Sequence, residues 1–284
     1  MTCSVTAVAR LRNKLQRLVS NCVARRCVVL NHGFPVISFS FDDFPKSALH
    51  QGGVVLKRYG VAGTYYTSFG LMDHQDSPVG PIFARSDLED LVTSGHELGC
   101  HTFSHCASWE VSGREFETSL LDNGRALNIV LPGTSFETMA YPFGCCSPWA
   151  KRVAAKYFSC CRGTDTGLNV GLADLNNLRS FPLERYGDNS GVLKLAITRN
   201  ALAAGWLIFR THDTSEQPRR GGCTLDFLEH IVRAAVESGA RVMPIGQAWR
   251  VIRSHLFVNC SGEASRVIVQ FAKPRKTVLR VRPH

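Results

Sequence analysis

The sequence predicts an α/β fold, a distorted (β/α) barrel of about seven parallel strands that is TIM-barrel-like in plan. Two observations predict it. Short apolar runs alternate with helical segments from residue 34 to about residue 250, and polar side chains that can bind a metal directly follow several of these runs. A parallel barrel carries its reactive groups at the carboxyl ends of its strands, so both observations favour the same architecture.

The individual elements follow from apolar periodicity and capping signals. The predicted strands are Val36–Phe41, Val61–Thr67, Glu97–His101, Thr138–Phe143, Tyr157–Cys161, Trp206–Thr211 and Arg241–Ile245. The predicted helices are Ser86–Thr93, Arg114–Val130, Pro148–Lys156, Val192–Ala203 and Leu225–Ser238. Ser86 and Glu89 have the spacing of a capping box. The stretch Asn169–Arg185 has no pattern that assigns it to a helix or a strand.

Three segments are predicted from the change of pattern along the chain. Residues 1–33 form a basic amphipathic N-terminal helix extension, 34–254 the catalytic barrel, and 255–284 a basic C-terminal β-hairpin extension. The helical stripe consists of Val5, Val8, Leu11, Leu15, Leu18 and Cys22. The net charge is +10, and residues 1–28 and 264–284 each carry six basic and no acidic side chains, so the body between them is slightly acidic.

Charge and composition limit the partners and the location. Basic ends are most simply solvated, and peripheral contact with a membrane surface is the alternative; no nucleic-acid partner is expected. No window is long and apolar enough for a membrane span or a signal peptide, which predicts a cytoplasmic protein. Eleven cysteines, an odd number that includes two adjacent pairs, favour free thiols in that compartment.

Four predicted strands end in residues that can do chemistry. They are Asp42 and Asp43 after the first strand, His101 and His105 at the third, Tyr141, Pro142 and Phe143 at the fourth, and His212 and Asp213 at the sixth. Two histidines and a carboxylate are a sufficient ligand set for a catalytic divalent metal with an open position. A carboxylate outside that set is then available to take a proton.

Each of these signals has a simpler interpretation when it is taken alone. An Asp-Asp pair is commonly a solvated turn, two histidines at this spacing are frequent on a helix surface, and His212 is compatible with a satisfied core histidine. Cys100 and Cys106 flank the histidine pair and allow a structural zinc site, although the sequence has no Cys-x-x-Cys. Non-haem iron also uses two histidines and a carboxylate. The coincidence of four strand ends favours a chemical role, and the barrel-like strand order and the spare aspartate favour hydrolysis over iron chemistry.

The segments SFDDFP, HTFSH, AYPFG and LIFRTHD, in this order and spacing, resemble the polysaccharide deacetylase family, carbohydrate esterase family 4. This family includes chitin, peptidoglycan and nodulation-factor deacetylases, and the likeness covers about residues 35 to 250. It implies a divalent metal, most often zinc, held by Asp43, His101 and His105. It also implies Asp42 as general base, His212 as general acid, and the backbone N–H of Phe143 as a donor to the oxyanion.

The sequence departs from the family pattern in three places. Phe44 stands where the family has glycine and is expected, with Tyr141 and Pro142, to shape the substrate-binding wall. Ala140 stands where the family has the arginine that holds the catalytic base, and the family's Asp-x-x-Asp-Trp motif is not visible. We hypothesise that Arg162, at the end of the next predicted strand, supplies the missing positive charge.

The resemblance implies a hydrolase of linear amide bonds that acts in carbohydrate metabolism. It would remove N-acetyl groups from oligo- or polysaccharides that contain N-acetylglucosamine, such as chitooligosaccharides. One alternative keeps the site and changes the substrate, as in an amidase or deformylase that acts on another small amide. The other is a carbohydrate-binding protein with impaired catalysis, for which the changes at Phe44 and Ala140 are the argument.

Overall fold

The computed structural model describes residues 18–144, 146–187 and 189–258. Its strands, in chain order, are β1 Cys27–Leu30, β2 Val36–Phe41, β3 Thr64–Thr67, β4 Glu97–Cys100, β5 Thr138–Ala140, β6 Cys160–Arg162, β7 Gly171–Asp174, β8 Phe181–Pro182, β9 Trp206–Thr211 and β10 Arg241–Val242. Seven of them form one parallel sheet in the order β6-β5-β4-β3-β2-β9-β8. This curled sheet confirms the predicted distorted barrel.

Helices cover the outside of the sheet, as the crossover connections of a parallel sheet require. They are α1 Val54–Arg58, α2 Arg85–Thr93, α3 Gly113–Val130, α4 Pro148–Ala154, α5 Ser190–Leu202, α6 Leu225–Glu237 and α7 Ile245–Val258. A π-helical turn, Ala48–Gly53, leads directly into α1, and three 3₁₀ turns lie at Phe69–Leu71, Pro142–Gly144 and Leu183–Arg185. Helix α6 buries Phe227, Leu228, Ile231, Val232 and Ala235, a stripe at helical spacing that packs on the sheet.

The central strands alternate between two buried environments. All six residues of β2 and all six of β9 are buried, as expected for strands covered on both faces. Ile37 and Phe39 pack with the helices, whereas Val36 and its neighbour Trp206 pack inside the barrel. Asp42 continues the alternation of β2 on the same side as Val36, so its carboxylate lies at the mouth of the barrel.

Six of the seven predicted strands belong to the main parallel order, two with the predicted ends and four with shifted ends, and the seventh is present but shorter than predicted. The strand predicted at Arg241–Ile245 is reduced to β10, which pairs only with the first two residues of β2, because α7 already begins at Ile245. The seventh member is β8, which lies inside the stretch that sequence patterns could not assign. Residues 175–178 of the same stretch hydrogen-bond to β6 and cover its edge.

The predicted capping box of helix α2 is also wrong. The helix begins at Arg85, one residue earlier than expected, and Asp87 rather than Glu89 accepts the returning hydrogen bond, from the N–H of Ala84 at 2.7 Å. Asp87 is additionally paired with His50 at 2.9 Å. Asp87 thus both caps the start of the helix and pairs with His50.

The two ends of the chain are described only in part. Residues 18–22 are helical, but β1 lies inside the segment predicted as a helical extension and pairs antiparallel with β7. Helix α7 runs across the predicted boundary at residue 254. Most of the apolar stripe and the predicted hairpin strands lie outside the described residues, so the division into three segments stays a prediction.

Two further expectations concern the thiols and the membrane. None of the eight cysteines within the described ranges forms a disulfide, and most of them are buried. None of the helices in those ranges is long and apolar enough to span a bilayer.

Candidate metal and catalytic site

Asp43, His101 and His105 come together at the carboxyl ends of β2 and β4. Nε2 of His105 lies 3.0 Å from Oδ1 of Asp43, and Nε2 of His101 lies 3.5 Å from the same oxygen. The three potential ligand atoms all lie within 4.8 Å of one another, and no other part of the described chain groups three such side chains. The rival zinc site with Cys100 and Cys106 is therefore not formed among the described residues.

A backbone hydrogen bond on the side of the ring away from Asp43 fixes the orientation of His101. Its Nδ1 lies 2.8 Å from the carbonyl oxygen of Ala140, to which it donates, so Nε2 carries the lone pair that points at Asp43. Burial, together with the neighbouring His105, lowers the pKa of His101 to about 4. The imidazole is consequently neutral at physiological pH, which is the form that binds metals.

The donor set fits a divalent cation. Oδ1 of Asp43 is buried and accepts no hydrogen bond of good geometry, although two imidazole nitrogens face it. Burial raises the pKa of Asp43, but the contact with His105 and the charge of the histidines outweigh it and hold the pKa well below its ordinary value. A buried carboxylate that is ionised and lacks a good donor is the kind of group that a cation would satisfy.

Backbone strain concentrates in the loops that carry these residues. Eight non-glycine residues of the described chain have positive φ, and five of them lie here: Asp43 (62°), Phe44 (46°), Thr102 (61°), His105 (51°) and Phe143 (58°). Left-handed conformations cost free energy for residues with a Cβ and persist where the surroundings enforce them. The clustering therefore marks these three strand ends as one constrained site.

Asp42 lies beside the triad and is paired with Arg162. Its Oδ1 accepts a hydrogen bond from Nη2 of Arg162, and both side chains are buried. Burial raises the pKa of Asp42, but the Arg162 guanidinium, followed by His101 and His212, lowers it below its ordinary value overall. Asp42 is thus an ionised carboxylate held in one orientation next to the triad.

The register of the sheet explains how Arg162 reaches Asp42. Arg162 on β6 is the direct partner of Ala140 on β5, so a positive charge expected on one strand is supplied by its neighbour. The guanidinium lies 5.2 Å from the ring centre of Tyr66 and donates to the Gly163 carbonyl at 3.1 Å. A Cβ at Gly99 would come within 2.4 Å of the Tyr66 ring, so this glycine makes the space that the ring occupies.

His212 follows β9 on the other side of Asp42. Its Nδ1 lies 3.0 Å from the carbonyl of Gly221, so a backbone oxygen orients it. Asp213 is not available as a ligand, because it is buried and accepts hydrogen bonds from Ser47, Ser215 and the N–H of Arg219. Its role is to hold the loop that returns to Gly221.

The side chains predicted to shape the substrate-binding wall, Phe44, Tyr141 and Pro142, are all buried. Phe44 is completely buried, with its ring stacked on Phe83 at 5.0 Å, so it lies in the core rather than on the wall of the site. Tyr141 is also buried, with its hydroxyl donating to the Asn176 carbonyl at 3.0 Å, and Pro142 is buried. The ring of Phe143 is 63% exposed and lies 4.5 Å from the His105 ring, so it does face the site.

Sequence reasoning missed one charged residue at this end of the barrel. Arg210 on β9 is buried, lies 3.4 Å from Glu184, and contributes to the low pKa of Asp42. The available signal was an arginine within the apolar run of LIFRTHD, where a strand covered on both faces has no solvent for a charge.

The described chain is a parallel barrel that carries an Asp-His-His group at the carboxyl ends of its strands. A second aspartate, Asp42, is paired with Arg162 beside this group. Residues 30–157 match the family described as polysaccharide deacetylase. This segment covers somewhat less than half of the chain and holds three of the four sequence motifs, SFDDFP, HTFSH and AYPFG. No curated protein matches the chain in sequence.

Solved structures show the same fold at low sequence identity. A peptidoglycan deacetylase from Bacillus subtilis has a TM-score of 0.53 at 16% identity, over 82% of this chain and 100% of its own. A family 4 pseudoenzyme from Bacillus anthracis gives 0.54 at 13%, over 77% and 66%. A family 4 carbohydrate esterase from Streptomyces lividans gives 0.51 at 15%, over 73% and 91%.

Proposed function

We propose that this protein is a metal-dependent de-N-acetylase of N-acetylglucosamine-containing oligo- or polysaccharides. The observation that carries the proposal is the division of the two adjacent aspartates. Asp43 faces two histidines and lacks a good hydrogen-bond donor, whereas Asp42 is fixed by Arg162. One carboxylate is thereby suited to a cation and the other to proton transfer.

Asp43, His101 and His105 would hold the metal, and zinc suits two imidazoles and one carboxylate. When bound, such a cation lowers the pKa of a water molecule and polarises an amide carbonyl. The chain's own contribution is to present a neutral His101 and an ionised Asp43 in a fixed orientation. Burial keeps His101 neutral, and the carbonyl of Ala140 fixes its tautomer and orientation by accepting from Nδ1.

The remaining steps are proton transfers and charge stabilisation by residues of the chain. Asp42 would take the proton of the attacking water, while Arg162 keeps the carboxylate ionised and oriented. The backbone N–H of Phe143 would donate to the oxygen on which negative charge develops. Nε2 of His212 would give a proton to the departing amine, with Nδ1 committed to the Gly221 carbonyl.

The substrate assignment rests on the family and on the shape of the site. The exposed ring of Phe143 beside His105 offers an apolar face to a sugar ring or an acyl group. The peptidoglycan deacetylase among the structural neighbours has the same fold and makes an acetylated glycan the first substrate to assay. No role in substrate contact is retained for the buried ring of Phe44.

The decisive experiment measures metal content and acetate release together. The purified protein is assayed on chitopentaose, on peptidoglycan and on simple formyl and acetyl amides, before and after chelation, with zinc added back. Acetate release from a glycan that a chelator abolishes and zinc restores supports the proposal. Release of formate or acetate only from the simple amides would instead support the amidase or deformylase alternative.

A second candidate is a binding protein with impaired chemistry. It is favoured by Ala140, which lacks the family arginine, and by the pseudoenzyme among the structural neighbours, of which a variant is described as having restored activity. The contact between Arg162 and Asp42 argues against it, because the charge is present. Glycan binding that is unchanged by chelation, with no acetate released, would establish this candidate.

A further inference from the structure

A buried network joins the described N-terminal residues to the barrel. Ser20 is completely buried, and its Oγ donates to the carbonyl oxygen of Cys146. Lys151 on α4 is also completely buried, and its Nζ donates to the carbonyls of Ser20 at 2.6 Å and Val23 at 3.1 Å, and to Asp174 at 2.7 Å. The ammonium group thus binds the carbonyls at the end of the helical residues 18–22.

The same network holds the turn Pro142–Gly144 on both of its sides. On one side, the hydroxyl of Tyr141 donates to the Asn176 carbonyl, and the Asn176 side chain donates to the Ala24 carbonyl at 2.9 Å. On the other side, Cys146 accepts from Ser20. Phe143, with its φ of 58°, lies between these two attachments.

The network also reaches the strand that carries Arg162. The N–H of Leu175 donates to the carbonyl of Arg26 at 2.9 Å, and the N–H of Cys161 donates to the carbonyl of Leu175 at 2.7 Å. Backbone hydrogen bonds therefore run from Arg26 to β6, one residue before Arg162. Both residues with proposed roles beside Asp43, Phe143 and Arg162, are anchored to residues 20–26.

These contacts are not a feature of the matched family region, which begins at residue 30. A buried ammonium without its acceptors costs several kcal/mol, so residues 20–23 and Lys151 stabilise each other's position. A solvated appendage would not bury a lysine completely. The segment is therefore part of the wall behind the site.

We infer that residues 20–26, which precede the matched region, position the active site. Ser20 from this segment and Lys151 from α4 are the positioning residues that fix the Phe143 turn. The expected effect on the reaction rate rests on the proposed function, whereas the expected effect on the structure does not. Its structural consequence is that loss of the Ser20 hydroxyl loosens the turn Pro142–Gly144. Because that turn would act on charge that develops during the reaction, the kinetic effect falls on kcat rather than on KM.

The test compares Ser20→Ala with Ser254→Ala, a serine exposed on α7, in the full chain. Expected for Ser20→Ala are an approximately tenfold lower kcat for acetate release, unchanged KM and zinc content, and faster hydrogen exchange of the Gly144 amide, which bonds to the Tyr141 carbonyl at 2.9 Å. An unchanged exchange rate overturns the inference. A faster exchange rate with unchanged kcat also overturns the positioning role.

A second pair of variants tests the lysine. Lys151→Met removes the buried ammonium, and Lys156→Met, which breaks only an exposed pair with Glu117, is the matched control. Lys151→Met is expected to lower kcat more than Ser20→Ala and to expose the bond after Arg25 to trypsin, whereas the control does neither. If Lys151→Met does not fold, the result for Ser20→Ala alone tests the inference. If the wild-type protein releases no acetate, the proposed function fails, and the exchange rate still tests the network.

Discussion

Arg162 on β6 reaches across the barrel interior to Asp42 at the end of β2, and its register partner on β5 is Ala140. The pair is buried, so the guanidinium both orients the carboxylate and keeps it ionised. A charge that the family pattern places on one strand is thus present on the adjacent one.

Arg162→Met is expected to lower kcat at least about 100-fold and to destabilise the fold by about 3 kcal/mol, because it leaves Asp42 buried and unpaired. Arg162 lowers the pKa of Asp42. Its loss therefore raises that pKa and moves the acid limb of the kcat/KM profile to higher pH, since the base acts as the carboxylate. The measurements are pH profiles of acetate release and urea unfolding, with exposed Arg152→Met as the control.

The double variant Arg162→Ala with Ala140→Arg tests whether the charge itself is what matters. It returns the arginine to the family position, directly beside its present one. We expect part of the lost activity and stability to return relative to Arg162→Ala alone. Failure of the double variant to exceed the single one, with both folded, would show that the identity of the strand matters as well.

His105→Ala is expected to remove the bound divalent metal and to reduce turnover more than about 100-fold, because it deletes one of the three proposed ligands. Metal analysis after gel filtration and acetate release are measured on the same samples. His74→Ala, which removes an exposed imidazole, should retain both metal and activity. Full metal occupancy in His105→Ala would contradict the assignment of the ligand set.

Gly221→Ala is expected to displace His212, because the added Cβ would lie 2.5 Å from its Nδ1 at a backbone φ of +75°. Turnover should fall, while metal content stays the same. Gly239→Ala is the matched control, since its φ of +74° imposes the same backbone cost and its Cβ would contact nothing within 4 Å. Both variants should lose roughly 1 kcal/mol of unfolding free energy from that cost, and only Gly221→Ala should lose kcat.

Burial lowers the pKa of His96 from 6.5 to about 4, and its Nδ1 accepts the N–H of Gly63 at 3.1 Å. Between these pH values the unfolded chain binds a proton that the folded one does not, so stability falls as the pH drops from 6.5 towards 4. At pH 5 this group alone accounts for up to about 2 kcal/mol.

His96→Gln retains a hydrogen-bond acceptor that does not titrate. Metal-free wild type and His96→Gln are compared by urea unfolding at pH 7 and pH 5, with His230→Gln, a partly exposed histidine, as the control. The His96 variant should lose less stability than wild type between the two pH values. An equal loss in all three proteins would contradict the assignment.

The parts of the fold that sequence predicted are those with strong periodicity. Strands β2 and β9 were predicted with their observed ends, since long apolar runs covered on both faces have few alternatives. Strands β7 and β8 were missed because they have four and two residues, with partners more than twenty residues away. Their pairing is decided by tertiary contacts that no local pattern contains.

The site shows a similar contrast. The residues of the metal triad were predicted to lie together because each follows a strand, and the structure brings them together. The prediction that the Phe44 ring lines the site was wrong, because the ring is buried in the core. Phe44 has a positive φ, and a sequence does not show a backbone angle. The contact of Arg162 with Asp42 was predicted from its charge and its position at the end of the next strand, and the register of β5 and β6 gives it a physical basis.

The buried ammonium of Lys151 also bears on how this protein should be expressed and delimited. A fragment that starts at residue 30, where the family match starts, would lack the two carbonyls that Lys151 binds and would keep only Asp174 as its partner. Such a fragment is expected to be poorly soluble or inactive even though it contains every matched motif. For this chain, the shortest unit that folds is therefore expected to be longer than the segment that matches the family.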